Sequence, residues 1–135
     1  MQKCGKSCET CPYVNEIKVV KSNYNNYSVQ INGVFNCNTP NVIYMLECSK
    51  CGEQYIGETL AELRQRFLQH RGYVRNKDCK KVTGQHFNLP GHKISDMKIC
   101  VLEKLRNNDP FYRKVRESMY IQNFGATTSL MNKRR

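Results

Sequence analysis

Cys48 and Cys51 are separated by two residues, and His86 and His92 by five. Thiolate sulfur and imidazole nitrogen at such intervals are the donors of a tetrahedral structural zinc site. A turn between two strands would aim both sulfurs at one point, and the segment 82–92 would bring the histidines. Cys4, Cys8 and Cys11 form a second cluster, with Cys37 as the natural fourth ligand and Cys79 as a substitute for it. Two zinc ions per chain are expected. The competing reading is a disulfide framework: eight cysteines allow about 105 pairings, but only in an oxidising compartment. Cys100 alternates with Ile99 and Val101, which makes it a small apolar core residue.

A second set of side chains has acid–base and anion-binding character. Glu117 falls at helical spacing with Tyr120, Ile121 and Phe124, so it places a carboxylate in an apolar stripe. Such a group needs a metal or an ionic partner, for which Arg113 and Arg116 are at hand. Arg66 and His70 stand four apart on one helix face, so both could reach a phosphate. Arg64, Arg71, Arg75, Lys77, Lys80 and Lys81 surround them, a basic patch suited to sequence-independent DNA binding or else a solvated face.

Positioning these groups falls to a short list of elements. Residues 16–36 alternate weakly through Ile17, Val19, Tyr27, Val29 and Ile31, with an Asn-rich stretch between, which predicts a hairpin. Val42–Leu46 is an apolar run of buried-strand length, Cys48–Gly52 a turn, and Gln54–Gly57 the returning strand. Leu60, Leu63, Phe67 and Val74 then follow a helical period, with Thr59 as N-cap. Val82–Asn88 predicts a short helix stopped by Pro90 and Gly91, and Met97–Leu105 a third strand. Asp109 and Pro110 open a helix expected to stop at Gly125, with a frayed tail from Asn132.

The composition sets the frame. The 135 residues include 22 Lys and Arg against 11 Asp and Glu, a net charge of +11 that predicts a polyanionic partner, nucleic acid before membrane. No run reaches the roughly 18 apolar residues of a membrane span, and the first residues lack the apolar stretch of a signal peptide. The expected location is therefore nuclear or cytoplasmic, where clustered cysteines favour metal. The 39% hydrophobic content implies a lean core that metal cross-links would support. Residues 1–40 are expected to form a cysteine-rich segment with a hairpin, and 41–135 the main domain. The fold class is α/β (α+β), a small three-stranded, mainly antiparallel sheet flanked by helices.

Taken in order, these residues resemble the GIY-YIG endonucleases. Val42-Ile43-Tyr44, eleven residues before Tyr55 of Tyr55-Ile56-Gly57, looks like the paired motif. Arg66 and His70 match the family's Arg and His, Glu117 its metal-binding Glu, and Asn132 its late Asn. The cysteine pair between the tyrosines, completed by His86 and His92, is similar to the endonuclease domain of Penelope-like retroelements. The resemblance covers about residues 37–132. Val42 stands where the family has Gly, and the interval from Tyr55 to Arg66 is one residue longer than usual, which keeps Arg64 as a lesser candidate for the arginine.

The resemblance implies a metal-dependent DNA endonuclease, a nicking enzyme that opens target DNA for element insertion and leaves a 5′-phosphate and a 3′-hydroxyl. Glu117 would hold one Mg2+ or Mn2+. Arg66 would clamp a phosphate oxygen. Tyr44 or Tyr55 would position or deprotonate the water, with nearby cations lowering a phenol pKa of about 10. His70 would assist proton transfer or hold a phosphate. DNA is the implied partner, together with a reverse transcriptase domain or element RNA. The rival readings are a zinc-finger nucleic-acid-binding module without catalysis and a secreted disulfide-rich basic protein.

Overall fold

The computed structural model describes residues 1–5, 8–129 and 131–134, and the backbone alone for 126–129 and 133–134. Five strands and three α-helices follow one another. They are β1 (Val19–Lys21), β2 (Ser28–Gln30), β3 (Val42–Cys48), β4 (Gln54–Thr59), α1 (Leu63–Arg75), α2 (Val82–His86), β5 (Met97–Lys104) and α3 (Pro110–Ser129).

The main sheet has the order β4-β3-β5, and both pairings are antiparallel. Central β3 is buried along its length except at Glu47, as expected of a strand covered on both faces. In the β3–β4 ladder Tyr44 pairs with Gly57 and Leu46 with Tyr55, so these four share one face. Ile43 with Glu58, and Met45 with Ile56, look the other way. β1 and β2 form a separate hairpin, with Val20 paired to Val29 as the weak alternation predicted.

The N-terminal segment is tied to this sheet. Val14 bridges Ile99 of β5 in parallel fashion, and the Asn15 amide donates to the Ile99 carbonyl at 2.9 Å. Gln54, fully buried, links the hairpin to the sheet. Its Nε2 donates to the Lys21 carbonyl at 2.8 Å and to Glu47 at 2.7 Å, and its Oε1 accepts from the Asn23 amide at 3.1 Å.

Three boundaries differ from expectation, each for a local reason. Helix α1 begins at Leu63 rather than after Thr59. Thr59 stays in β4 opposite Val42, and half-exposed Leu60 does not join the core. The first helical amides instead donate to carbonyls of the preceding segment, Leu63 to Thr39 at 3.0 Å and Arg64 to Cys37 at 2.7 Å. These two bonds satisfy orphan donors that a capping side chain would otherwise meet.

Helix α3 runs through Gly125 to Ser129. Gly125 is not at positive φ, so it is no left-handed stop. A helical Gly costs about 1 kcal/mol relative to Ala, which buried Tyr120, Ile121 and Phe124 outweigh. The start is as expected: Asp109 Oδ1 accepts from the Phe111 amide at 3.0 Å, and Pro110 is the first helical residue. The tail is not frayed at Asn132. Residues Met131–Arg134 form a 3-10 turn, and Met131 and Asn132 are buried.

Candidate active site and metal centres

A cleft of about 370 Å³ opens where β4, α1, the α1–α2 loop, α2 and α3 meet. Tyr55, Arg66, His70 and Glu117 line it, so four of the six residues expected to be catalytic converge from three elements. Tyr44 stands behind the wall with 0% exposure, and its hydroxyl lies 2.7 Å from His70 Nε2. Glycine makes this possible. A Cβ on Gly57 would sit 2.5 Å from Tyr44 Oη and 2.6 Å from Cζ, so only a residue without one lets the ring lie across β4.

His70 is held at both nitrogens. Nε2 faces Tyr44, and Nδ1 lies 2.9 Å from Thr83 Oγ1 on α2. The expectation that His70 could hold a phosphate is therefore corrected: neither nitrogen is left for one. Burial, and next the charge of Arg66, lower its pKa to about 3, so the ring is neutral at physiological pH. Tyr44 also departs from expectation. Burial pushes its phenol well above the usual range, Tyr55 adds to this, and the opposing pull of Arg66 is smaller. Tyr44 is a neutral phenol, and Tyr55 is the tyrosine of the pair that faces the cleft.

Arg66 Nη1 donates to Gln69 Oε1 at 2.6 Å and lies 3.5 Å from Tyr73 Oη. Arg64 is elsewhere. It pairs with Glu62 at 3.4 Å and borders a depression with Cys8, Glu9 and Leu68, so Arg66 is the arginine of the cleft.

Glu117 is buried at 4% exposure, with the Lys114 ammonium 3.8 Å from its Oε1. The same ammonium lies 3.5 Å from Glu58 Oε1. The two arginines weighed as partners for Glu117 are engaged otherwise, Arg113 with Glu58 and Arg116 with Glu103 at 2.6 Å. Asn132 is not among the cleft residues. Its amide spans one residue of edge strand β4, with Oδ1 accepting from Ile56 N at 2.9 Å and Nδ2 donating to Ile56 O at 2.8 Å.

Of the basic residues, Lys80 and Lys81 line the cleft. Arg75, the last residue of α1, and Lys77 just beyond it are exposed. Arg71 turns toward the N-terminal segment, where it pairs with Glu9 at 3.2 Å and stacks over Tyr13.

Sequence reasoning missed Glu58, Tyr73, Thr83 and Lys114, all on the cleft wall. The helical step from Arg66 through His70 toward Tyr73 was a usable signal. No sequence pattern marks Thr83, because its partner lies on another helix.

Both cysteine sets assemble. In Cys4, Cys8, Cys11, Cys37 and in Cys48, Cys51, His86, His92 the donor atoms of each set lie within 4.8 Å of one another. Five of the six sulfur pairs of the first set are 3.1 to 3.7 Å apart, close to the edge of about 3.8 Å that a zinc tetrahedron with 2.3 Å bonds would have. None of the eight cysteines is in a disulfide. Cys79 is exposed and outside the set, and Cys100 is a buried strand residue.

In the second set His86 Nε2 faces Cys51 Sγ at 3.5 Å while Nδ1 faces Glu53 at 3.3 Å, a carboxylate that would orient a ligating ring. His92 Nδ1 lies 3.2 Å from the Pro90 carbonyl, and its Nε2 is buried with no hydrogen-bond partner among the described residues. A buried nitrogen lone pair without a donor fits a metal. Both sets have the chemistry to hold one.

Tyrosines thus stand on two adjacent strands, Arg66 and His70 on the next helix and buried Glu117 on the last. The GIY-YIG catalytic domain matches residues 40–132, and the chain belongs to that family, whose members are nucleases. Uncharacterized protein 019R of Invertebrate iridescent virus 6 is 30% identical over 88 residues. That match covers 65% of this chain and 30% of the viral protein, so the chain spans less than a third of that relative's length. No solved structure matches the chain. No helix among the described residues is long and apolar enough to cross a membrane.

Proposed function

We propose that the domain is a divalent-metal-dependent DNA endonuclease that hydrolyses single phosphodiester bonds. The observation that carries this is the convergence of Tyr55, Arg66, His70 and Glu117 on one cleft, with Lys80 and Lys81 at its wall.

The attacking water enters beside Tyr55, the phenol that faces the cleft. The Arg66 guanidinium clamps a non-bridging phosphate oxygen through its planar fork. Lys80 and Lys81 hold neighbouring phosphates. Water oxygen bonds to phosphorus as the bond to the 3′ oxygen breaks. The water supplies both the new oxygen of the 5′-phosphate and, through cleft solvent, the proton of the 3′-hydroxyl. Glu117 fits a hard cation: it is a buried carboxylate that lines the cleft, 3.8 Å from the Lys114 ammonium. Mg2+ or Mn2+ held there would neutralise charge that develops on the phosphate and the leaving oxygen.

The two cysteine-containing sets are read as structural zinc sites. The one with His86 and His92 supports the finer similarity to the endonucleases of Penelope-like retroelements, and with it a role in opening target DNA in a cell's nucleus or cytoplasm. Residues 41–135 then carry the nuclease, and residues 1–40 form a metal-stapled platform on the sheet. A reverse transcriptase domain or element RNA is the partner this reading names.

The test is incubation of the purified chain with supercoiled plasmid and Mg2+ or Mn2+. Nicked circles that DNA ligase reseals directly are expected, since ligation needs a 5′-phosphate beside a 3′-hydroxyl. Intact plasmid with both metals overturns the reading. Elemental analysis is expected to find about two zinc per chain, one for each four-ligand site.

A further inference from the structure

Thr83 belongs to no motif, yet it is buried on the cleft wall with Oγ1 on His70 Nδ1 at 2.9 Å. It rides on α2, whose placement is tightly specified. Gly84, the next residue, lies against the carbonyls of Asp78 and Tyr73, and a Cβ there would meet the Tyr73 oxygen at 2.9 Å. Three residues after Thr83, His86 joins the Cys48, Cys51 and His92 set. The helix that completes one candidate metal set therefore also delivers a hydroxyl to His70.

A hydrogen-bond count then orients the whole chain of groups. The Tyr44 hydroxyl is fully buried and lies 2.7 Å from His70 Nε2, whose lone pair can take its proton. With Tyr44 donating, Nε2 carries the lone pair. In a neutral imidazole the proton is then on Nδ1, which donates to Thr83 Oγ1. Thr83 borders the cleft, so its own proton can go to water. The reverse order, Thr83 donating to Nδ1 and Nε2–H donating to Tyr44, would strand the buried phenol proton, which is costly. With Tyr44 donating to His70, its oxygen is left to accept from the neighbouring Arg66 guanidinium.

We propose that Thr83 is a positioning residue: it fixes His70 in the Nδ1–H tautomer, which orients Tyr44 and, through it, Arg66 for the phosphate. The proposal rests on the nuclease reading only for its kinetic consequence. The tautomer itself can be read without turnover. Which ring nitrogen carries the proton is set by the bond the other one makes.

The experiment uses the full-length, zinc-loaded chain labelled with 15N and long-range proton–nitrogen correlation of the His70 ring at neutral pH. The wild type is expected to show Nδ1 protonated and Nε2 as the acceptor. Thr83→Ser is expected to keep that pattern, and Thr83→Val to lose it to the other tautomer or a mixture. In plasmid nicking, Thr83→Val is expected to lower kcat on the order of tenfold to a hundredfold, the size usual for losing an orienting hydrogen bond. KM for DNA and zinc content should be unchanged, and Ser should restore the rate. A wild type with Nε2 protonated overturns the proposal even if no variant folds. So does a Thr83→Val protein that keeps both tautomer and rate. If the wild type does not nick at all, the nuclease reading fails, and the tautomer still decides the role of Thr83.

Discussion

Gly57 lies directly across the β3–β4 ladder from Tyr44, so close that a Cβ on it would stand 2.5 Å from the tyrosine hydroxyl. The glycine of the second tyrosine motif is thus a space requirement of the tyrosine in the first. Gly57→Ala is expected to destabilise the fold by roughly 1–3 kcal/mol, the usual cost of overpacking a core, and to displace His70 with Tyr44. Denaturant unfolding measures this. Adding Tyr44→Phe should not rescue the variant, because Cζ at 2.6 Å clashes as well. Full rescue would show that the close approach is not what demands glycine.

Asn132 closes the open edge of β4 by meeting both backbone groups of Ile56. Removing its amide leaves a buried N–H and a buried C=O unpaired, at about 1–3 kcal/mol for each group. Asn132→Ala should lower the unfolding midpoint, and Asn132→Asp, which keeps only the acceptor, should fall between. DNA affinity should hold in both, because Asn132 is not a cleft residue.

The depressed pKa of His70 has a defined pH signature. The folded ring protonates near about 3 and an unfolded one near 6.5. Between those values the unfolded chain binds more protons than the folded one. The contribution of His70 to stability is therefore complete above about 6.5 and is lost as pH falls through that window. The imidazole nitrogens of His70 should show no change in protonation between pH 7.5 and 5.5 in folded protein. A midpoint near 6.5 would contradict the buried placement.

Lys80 and Lys81 reach the cleft, whereas Arg64 and Arg71 are paired on the N-terminal side. Replacing both lysines by Ala should reduce the slope of log affinity for duplex DNA against log salt by about 0.9 for each phosphate no longer neutralised. Arg64→Ala should leave the slope nearly unchanged. Equal effects would mean that the DNA covers the other face too.

Much of this was legible in the chain itself, for reasons that differ by residue. The Val42–Leu46 run, the Phe67–Val74 period and the Asp109-Pro110 start are local patterns, and local patterns locate elements. The two cysteine sets were readable because ligand spacing is a short-range constraint imposed by the metal. Thr59 misled because capping preference is weak against backbone carbonyls arriving from Cys37 and Thr39. Gly125 misled because packing of Phe124 and its neighbours outweighs glycine's helical cost. Thr83, Glu58 and Lys114 stayed hidden because each acquires its role from a partner on a different element, and no spacing along the chain encodes that.

The central claim is that the cleft of Tyr55, Arg66 and Glu117 cuts DNA with a cation at Glu117. The direct measurement is plasmid nicking by wild type and Glu117→Gln across a Mg2+ titration, with DNA binding measured in parallel. The expected result is a loss of nicking on the order of a hundredfold or more, the scale of removing a main charge stabiliser, with DNA affinity and zinc content retained. A Glu117→Gln protein that nicks at the wild-type rate, with the same Mg2+ dependence, would contradict the account.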